Sequence, residues 1–313
     1  MPPTLIELHE IPPELLGCAV AIGNFDGVHR GHTVLIRQLI ELARRHSGPA
    51  IVVTFDPPPS AILLPDRPAS PPLTPLSRRA ELLQELGVAA VVPLKTTPQL
   101  LSLSAEEFFE QTIRSKLKAS AMAEGPNFRF GHNRKGDTNL LQELCQASQI
   151  ELCIVAATSD SGGMVSSTRI RELIAAGELS AANQMLTQPY QLQGVVQPGA
   201  QRGRELGFPT ANLAEIKSLL PGHGVYAGRV QLHSKEFRAA INIGPNPTFA
   251  EDRVKVEVHL IGFSGELYGQ ELRCQVLTKV RDVQRFDSFD ALKQQIAIDV
   301  TRCESFEHST TSQ

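Results

Sequence analysis

The periodicity of this chain changes once, and that change limits what it can fold into. In the first half, short apolar runs alternate with segments of helical spacing. "CAVAIG" (18–23) leads into "HTVLIRQLIELARRH" (32–46), and "AIVVTF" (50–55) precedes "SRRAELLQELG" (77–87). "VAAVVPL" (88–94) precedes "SAEEFFEQTIRSKL" (104–117), where Ser104 and Glu107 stand in capping-box spacing. "ASAMAE" (119–124), "TNLLQELCQAS" (138–148) and "IELCIVAA" (150–157) continue the alternation. Such a pattern predicts βαβ units around a buried parallel sheet. After "MLTQPY" (185–190) the helical spacing stops. "GVYAGRVQLH" (224–233), "EFRAAINIG" (236–244), "VKVEVHLIGF" (254–263) and "ELRCQVLTKV" (271–280) alternate polar and apolar residues between turn signals. These predict an antiparallel barrel or sandwich, closed by a helix over "SFDALKQQIAIDV" (288–300). The expectation is an α/β domain over residues 1–186 and an antiparallel β-barrel domain with a C-terminal helix over 187–313. A length of 313 residues gives each its own core. The proline cluster "PDRPASPPLTP" (65–75) reads as a stiffened surface loop.

Composition excludes several classes. With 42% hydrophobic and 20% charged residues, the chain is globular rather than disordered. A net charge of −3 argues against broad nucleic-acid or anionic-membrane binding. The five cysteines (18, 145, 153, 274, 303) are scattered without a Cys-x-x-Cys pair. That suits a reducing cytoplasm and excludes a local thiolate zinc site. No signal-peptide pattern opens the sequence and no apolar stretch could span a bilayer, so a cytosolic location is expected.

The chemistry concentrates after the first strand. Ligands of parallel sheets bind beyond the carboxyl ends of the strands, and "GNFDGVHRGH" (23–32) falls there. Gly23, Gly27 and Gly31 bare the backbone for phosphate, and a helix starting near Gly31 or His32 adds its positive end. His29 and His32 offer hydrogen bonds to phosphate oxygens and, when protonated, offset charge at phosphorus. Two other readings stay open: zinc on both histidines with Asp26, which lacks a fourth ligand, and a glycine turn without chemistry. Later, "VSSTRIRELI" (165–174) is a hydroxyl-rich helix start with two arginines. "GPNFRFGHNRKGD" (125–137) is rich in glycine and basic residues, but no Walker loop, because Asp137 stands where the lysine would be.

In the second half, "GRELGFPTANL" (203–213) runs from a turn into Thr210 and Asn212. Oxygens at alternate strand positions project to one side and suit Mg²⁺ shared with phosphates; an ordinary strand start is the other reading. Glu257 in "VEVHL" (256–260) is either a solvated outward carboxylate or, if it faces inward, a general base. "GHGVYAG" (222–228) has its last glycine one position late for a dinucleotide fingerprint, and no helix follows.

"GNFDGVHRGH" resembles the His-x-x-His signature of Rossmann-like nucleotidylyltransferases. Together with "FRFG…KGD", "SSTRIR", "RGRELGFPTANL", "GVYAG", "NIGPNPTF", "EVHL" and "LYG" in order, the chain is similar over nearly its whole length to the bacterial bifunctional riboflavin kinase and FAD synthetase family. The resemblance implies two ATP-dependent steps: phosphorylation of riboflavin to FMN in the barrel, then transfer of AMP to FMN in the Rossmann-like domain, giving FAD and pyrophosphate. It implies Glu257, His29 and His32 as catalytic residues. It places ATP on Gly23, Asn24, Phe25, Asp26, Gly27, Asn127, Ser167, Thr168 and Arg171 in the first domain. In the second it places ATP on Gly207, Pro209, Thr210 and Asn212, with Mg²⁺ at Thr210 and Asn212. Riboflavin, FMN and ATP are then the partners, with neither nucleic acid nor membrane. Three places depart from the family pattern: "TFDPPP" (54–59), with Pro58 at a usual histidine position, "VVQPGAQRGR" (195–204) and "IGPNPTF" (243–249). Two further readings are a riboflavin kinase with a weak or inactive adenylyltransferase domain and a non-catalytic flavin or nucleotide carrier.

Overall fold

The structure, a computed structural model, describes residues 4–63, 70–249 and 251–306. The chain forms two compact units, Met1–Ser70 with Thr74–Ser167, and Pro71–Leu73 with Thr168–Gln313.

In the first unit the described residues form a five-stranded parallel sheet of β1 (Ala19–Ile22), β2 (Ala50–Asp56), β3 (Ala90–Lys95), β4 (Ala121–Glu124) and β5 (Glu151–Ile154), in the order β3-β2-β1-β4-β5. Both faces are covered. Along β1, Val20 and Ile22 join one apolar cluster while Ala19 and Ala21 join the other. That double burial explains why these strands read as continuous apolar runs. Chain order reverses between β1 and β4, so a crevice is expected beyond their carboxyl ends. The fully buried Glu124 accepts a hydrogen bond from the Ile22 backbone N–H (2.7 Å), and burial raises its pKa well above the usual carboxylate range. The Ser104–Glu107 capping box is present, and its helix continues with π-type turns over Phe109–Lys116. A small hairpin, β6 (Ser159–Asp160) with β7 (Gly163–Met164), ends the unit.

In the second unit, β8 (Gln191–Gln197), β9 (Ala211–Ala214), β10 (Gly224–Leu232), β11 (Lys235–Asn246), β12 (Glu251–Leu260) and β13 (Glu271–Arg281) close into an antiparallel barrel, β10-β11-β12-β9-β8-β13. Leu192, Val196, Val256, Val258 and Leu272 are among its buried side chains. Helical residues before the barrel belong to this unit. The Gly222 N–H donates to the Ile174 carbonyl (3.0 Å), and Asn183 donates to the Val276 and Leu277 carbonyls. The final helix, Phe289–Ser305, is capped by Ser288 and runs five residues past the sequence expectation. Its buried Asp299 takes the Arg281 Nε and Nη2 (both 2.8 Å) and the Gln295 amide. Parts of the proline cluster lie outside the described residues. The described end is irregular and exposed at Pro71, as a surface loop would be, but it buries Leu73 fully.

Candidate active sites

The first constellation begins where β1 ends. The turn after Gly23 winds tightly: Phe25, Gly27 and Val28 have φ of 48°, 83° and 39°, the left-handed region that favours glycine. Strained residues of this kind persist only where their surroundings hold them. The Phe25 ring packs against Gly23 and His32. Helix α1 (Arg30–Arg45) starts with His29 as its N-cap, one residue earlier than expected.

The two histidines form a reciprocal cap. The His32 N–H donates to His29 Nδ1 (3.3 Å) and the His29 N–H donates to His32 Nδ1 (3.2 Å). The rings stack with centroids 3.6 Å apart, and a Cβ at Gly31 would come within 3.1 Å of the His29 ring. Each Nδ1 is an acceptor, which assigns the ring proton to Nε2. Burial pushes the His29 pKa down to about 4 against the pull of Asp26. Burial, His29 and Arg79 hold His32 well below the ordinary imidazole value. Charge offset by protonated histidines, expected from the sequence, is therefore corrected. In the free protein at neutral pH these are neutral N–H donors.

Asp26 faces the protein. Its Oδ1 accepts from the Thr74 N–H (3.0 Å) and lies 3.7 Å from Arg79 Nη2. The Gly27 N–H donates to Thr74 Oγ1 (3.1 Å), and the Thr54 hydroxyl donates to the Asn24 carbonyl (3.2 Å). Ser167 opens the helix Ser167–Ala176 and donates to the Asp26 carbonyl (2.8 Å), which ties the late motif to this turn. Thr168 and Arg171 follow in that helix and belong to the second unit, where Arg171 donates to the Pro71 carbonyl. Asn127 is exposed in the turn after β4, and Asp137 caps the helix Thr138–Ala147. Pro58 is half-buried beyond the end of β2, its carbonyl accepting the Ala61 N–H. Among the described residues no three His, Cys, Asp or Glu side chains are grouped to hold a metal.

The second constellation lies on the barrel. Glu257 is paired with Asn212 across β12–β9 and with Asn242 across β11–β12, one transverse row of polar residues. Val256 and Val258 are buried, whereas Glu257 is half-buried and lines a cavity with Thr210 and Asn212. Asn242 and Asn246 donate their amides to Glu257 Oε2 (3.3 and 3.2 Å), fixing the carboxylate. Gly199 packs against Asn212 so closely that any side chain there would collide with its amide. Gly207 turns at φ 88°, and the following Pro209 carbonyl accepts from His259 Nδ1 (2.8 Å). The Arg281–Asp299 pair forms part of the same cavity wall. A second cavity, lined by Arg204, Pro209, Phe263 and Tyr268, shares Gln201 and Thr210 with the first.

Several residues of these sites escaped the sequence reading. Asn242 and Asn246 follow from strand register, which no single segment reveals. Arg79 left a trace, because it falls on the apolar stripe with Leu82 and Leu83, where a charge is out of place.

The FAD synthetase family model matches residues 11–169 and the riboflavin kinase model matches residues 186–306. The chain is 36% identical over 300 residues to the bifunctional riboflavin kinase/FMN adenylyltransferase of Escherichia coli (strain K12), covering 96% of this chain and 95% of that one. It is 37% identical over 297 residues to the enzyme of the same description from Pseudomonas fluorescens, covering 94% of each. A crystal structure described as a macrolide-efflux protein from Streptococcus pneumoniae matches at a TM-score of 0.86 and 31% identity, over 97% of this chain and 99% of that one. No helix among the described residues is long and apolar enough to cross a membrane. On the full-length identity and the two matched domains, the chain belongs to the bifunctional riboflavin kinase/FMN adenylyltransferase family.

Proposed function

We propose that residues 187–313 phosphorylate riboflavin and residues 1–186 adenylylate the FMN so formed, with Glu257 as the base of the first step and His29 and His32 as phosphate donors in the second. The observation that carries the kinase assignment is the Asn242–Glu257–Asn212 row facing a cavity. Glu257 takes the proton of the ribityl 5′-hydroxyl as its oxygen bonds to the γ-phosphorus, and ADP leaves. Two substrates need two adjoining pockets, and two cavities share Thr210. We assign the flavin to the one holding Glu257 and the nucleotide to the other, its phosphates reaching Thr210 past Gly207 and Pro209.

Thr210 stands just before β9 and Asn212 within it, and both line the first cavity; their side-chain oxygens are hard, neutral donors that fit Mg²⁺ carried in with ATP. Bound there, the ion neutralises phosphate charge. Thr210→Ala with Asn212→Ala is expected to raise the kinase KM for Mg–ATP by about one to two powers of ten, the worth of a charge-assisted hydrogen bond. FAD formation from supplied FMN should not change; an equal fall in both activities would contradict the division into two sites.

In the second step an FMN phosphate oxygen bonds to the α-phosphorus of ATP and the bond to pyrophosphate breaks. Catalysis of this kind is mainly positioning and charge stabilisation. The Nε2–H groups of His29 and His32 and the backbone of Asn24 and Phe25 supply it, with Asn127 and Ser167 assigned by motif. Incubating the protein with riboflavin and Mg–ATP, and separating FMN from FAD by chromatography, tests both steps and excludes a mere carrier if either product forms.

Pro58 favours unequal activities. It has no donor, either in its side chain or on its backbone nitrogen. FMN is expected to accumulate ahead of FAD, and Pro58→His to raise FAD formation by about one to two powers of ten if the new donor is felt in the transition state. Time courses at saturating ATP decide: FAD without an FMN lag, and no gain from the histidine, would give Pro58 no influence. The five cysteines are all free, which supports a reducing cytoplasm.

A further inference from the structure

Arg79 does not line the turn that carries the histidines, yet much of the bonding behind that turn converges on it. Its side chain is almost wholly buried. One arm, Nη1, donates to the Thr54 hydroxyl (3.1 Å), and that hydroxyl donates to the Asn24 carbonyl. The other, Nη2, donates to the Thr74 carbonyl (3.2 Å) and lies 3.7 Å from Asp26 Oδ1. Thr74 in turn holds both Asp26 Oδ1 and the Gly27 N–H. Asn24, Asp26 and Gly27 are thus all fixed through one guanidinium, on either side of Phe25 and beside Val28, whose positive φ values need outside support. The planar, permanently charged fork of arginine is suited to serving several acceptors in fixed directions.

Stability alone does not account for this choice. Buried ion pairs are often replaced by apolar residues at no loss of stability. Arg79 sits on the apolar stripe of its helix, and its Nε is buried with no hydrogen-bond partner. What the side chain supplies is geometry. We propose that Arg79 is a positioning residue for adenylyl transfer, holding the Asn24–Gly27 turn in the shape that receives the nucleotide phosphates, through Thr54, Thr74 and Asp26. This rests on the reading of that turn as the ATP site.

The arrangement separates ATP from FMN in the kinetics. A turn that relaxes by about an ångström misplaces the phosphates, and displacements of that size cost on the order of 10²-fold. A residue with a merely structural role lowers the fraction of active protein and moves neither KM.

The test compares wild type, Arg79→Met, Arg79→Lys and Thr54→Val in FAD formation from supplied FMN. Riboflavin phosphorylation by the same polypeptide and thermal unfolding serve as controls. Wild-type protein that makes no FAD would defeat the assignment of the site itself, before Arg79 is considered. Given wild-type activity, Arg79→Met is expected to lose about 10- to 100-fold in kcat/KM for ATP, with a raised KM for ATP and an unchanged KM for FMN. Arg79→Lys keeps the charge but not the fork and should recover only part. Thr54→Val cuts the link to Asn24 while leaving Arg79 in place, so it reports even if Arg79→Met does not fold. Combined with Arg79→Lys it should add less than the sum of the two. An unchanged KM for ATP in both Thr54→Val and Arg79→Lys overturns the proposal.

Discussion

Glu257→Gln is expected to abolish riboflavin phosphorylation while leaving adenylylation of supplied FMN at the wild-type rate. The substitution keeps the length and shape of the side chain, so the cavity wall and the Asn212–Glu257–Asn242 row keep their places. It removes the ability to take a proton from the 5′-hydroxyl, and a positioned general base typically contributes about 10²–10⁴-fold. The amides of Asn242 and Asn246 already orient the carboxylate in the free protein. Loss should therefore fall on kcat rather than on the KM for riboflavin. Glu257→Asp is a useful companion, because it keeps the base and withdraws it by one methylene. Its activity should lie between the other two. Kinase turnover within a few-fold of wild type in Glu257→Gln would remove this residue from the chemistry.

The same residue shows how far sequence reaches. Alternation in "VEVHL" placed Glu257 opposite Val256 and Val258, but not whether that side met water or a cavity. The answer lies in Asn212, 45 positions earlier, and Asn242, 15 earlier, which only barrel closure brings alongside. The parallel sheet was legible because both its faces are buried, which leaves continuous apolar runs. Strand β8 was not: "QLQGVVQ" interrupts its apolar alternation with Gly194, whose missing side chain makes room for the Ala214 carbonyl. In the first unit the His-x-x-His spacing was plain, but its reciprocal cap was not, since histidine is an uncommon N-cap and a capping box is ordinarily sought from Ser or Thr to Glu or Gln. Arg79 is a charge in an apolar stripe, a signal that the sequence reading passed over. What it holds depends on Thr54 and Thr74, which belong to other elements.

The reciprocal cap sharpens the remaining prediction. His29→Ala with His32→Ala is expected to stop FAD formation and leave riboflavin phosphorylation intact. Loss of one donor at a developing charge costs about 10²–10³-fold. The double change also uncaps α1, a loss typically of about 0.5–2 kcal/mol. His29→Asn separates the two effects, because asparagine is a good N-cap but does not reach as far as Nε2–H. It should keep the helix and still lose FAD formation. The pH dependence follows from the depressed pKa values. His29 titrates near 4 in the folded protein against 6.5 for an ordinary imidazole, and His32 is held well below that value. Well above pH 6.5 both are neutral whether folded or unfolded, and their contribution is constant. As pH falls from 6.5 toward 4 the unfolded chain binds more protons, so the first unit loses stability. The resistance of wild type to unfolding should weaken across that window, and less so in His29→Asn. For activity the same shift predicts no loss of kcat/KM for ATP in FAD formation between pH 6.5 and 8 from these groups, since the neutral Nε2–H is the working form. A fall with an apparent pKa near 6.5 that disappears in His29→Asn would instead require imidazolium in the free enzyme and contradict the tautomer assigned by the cap.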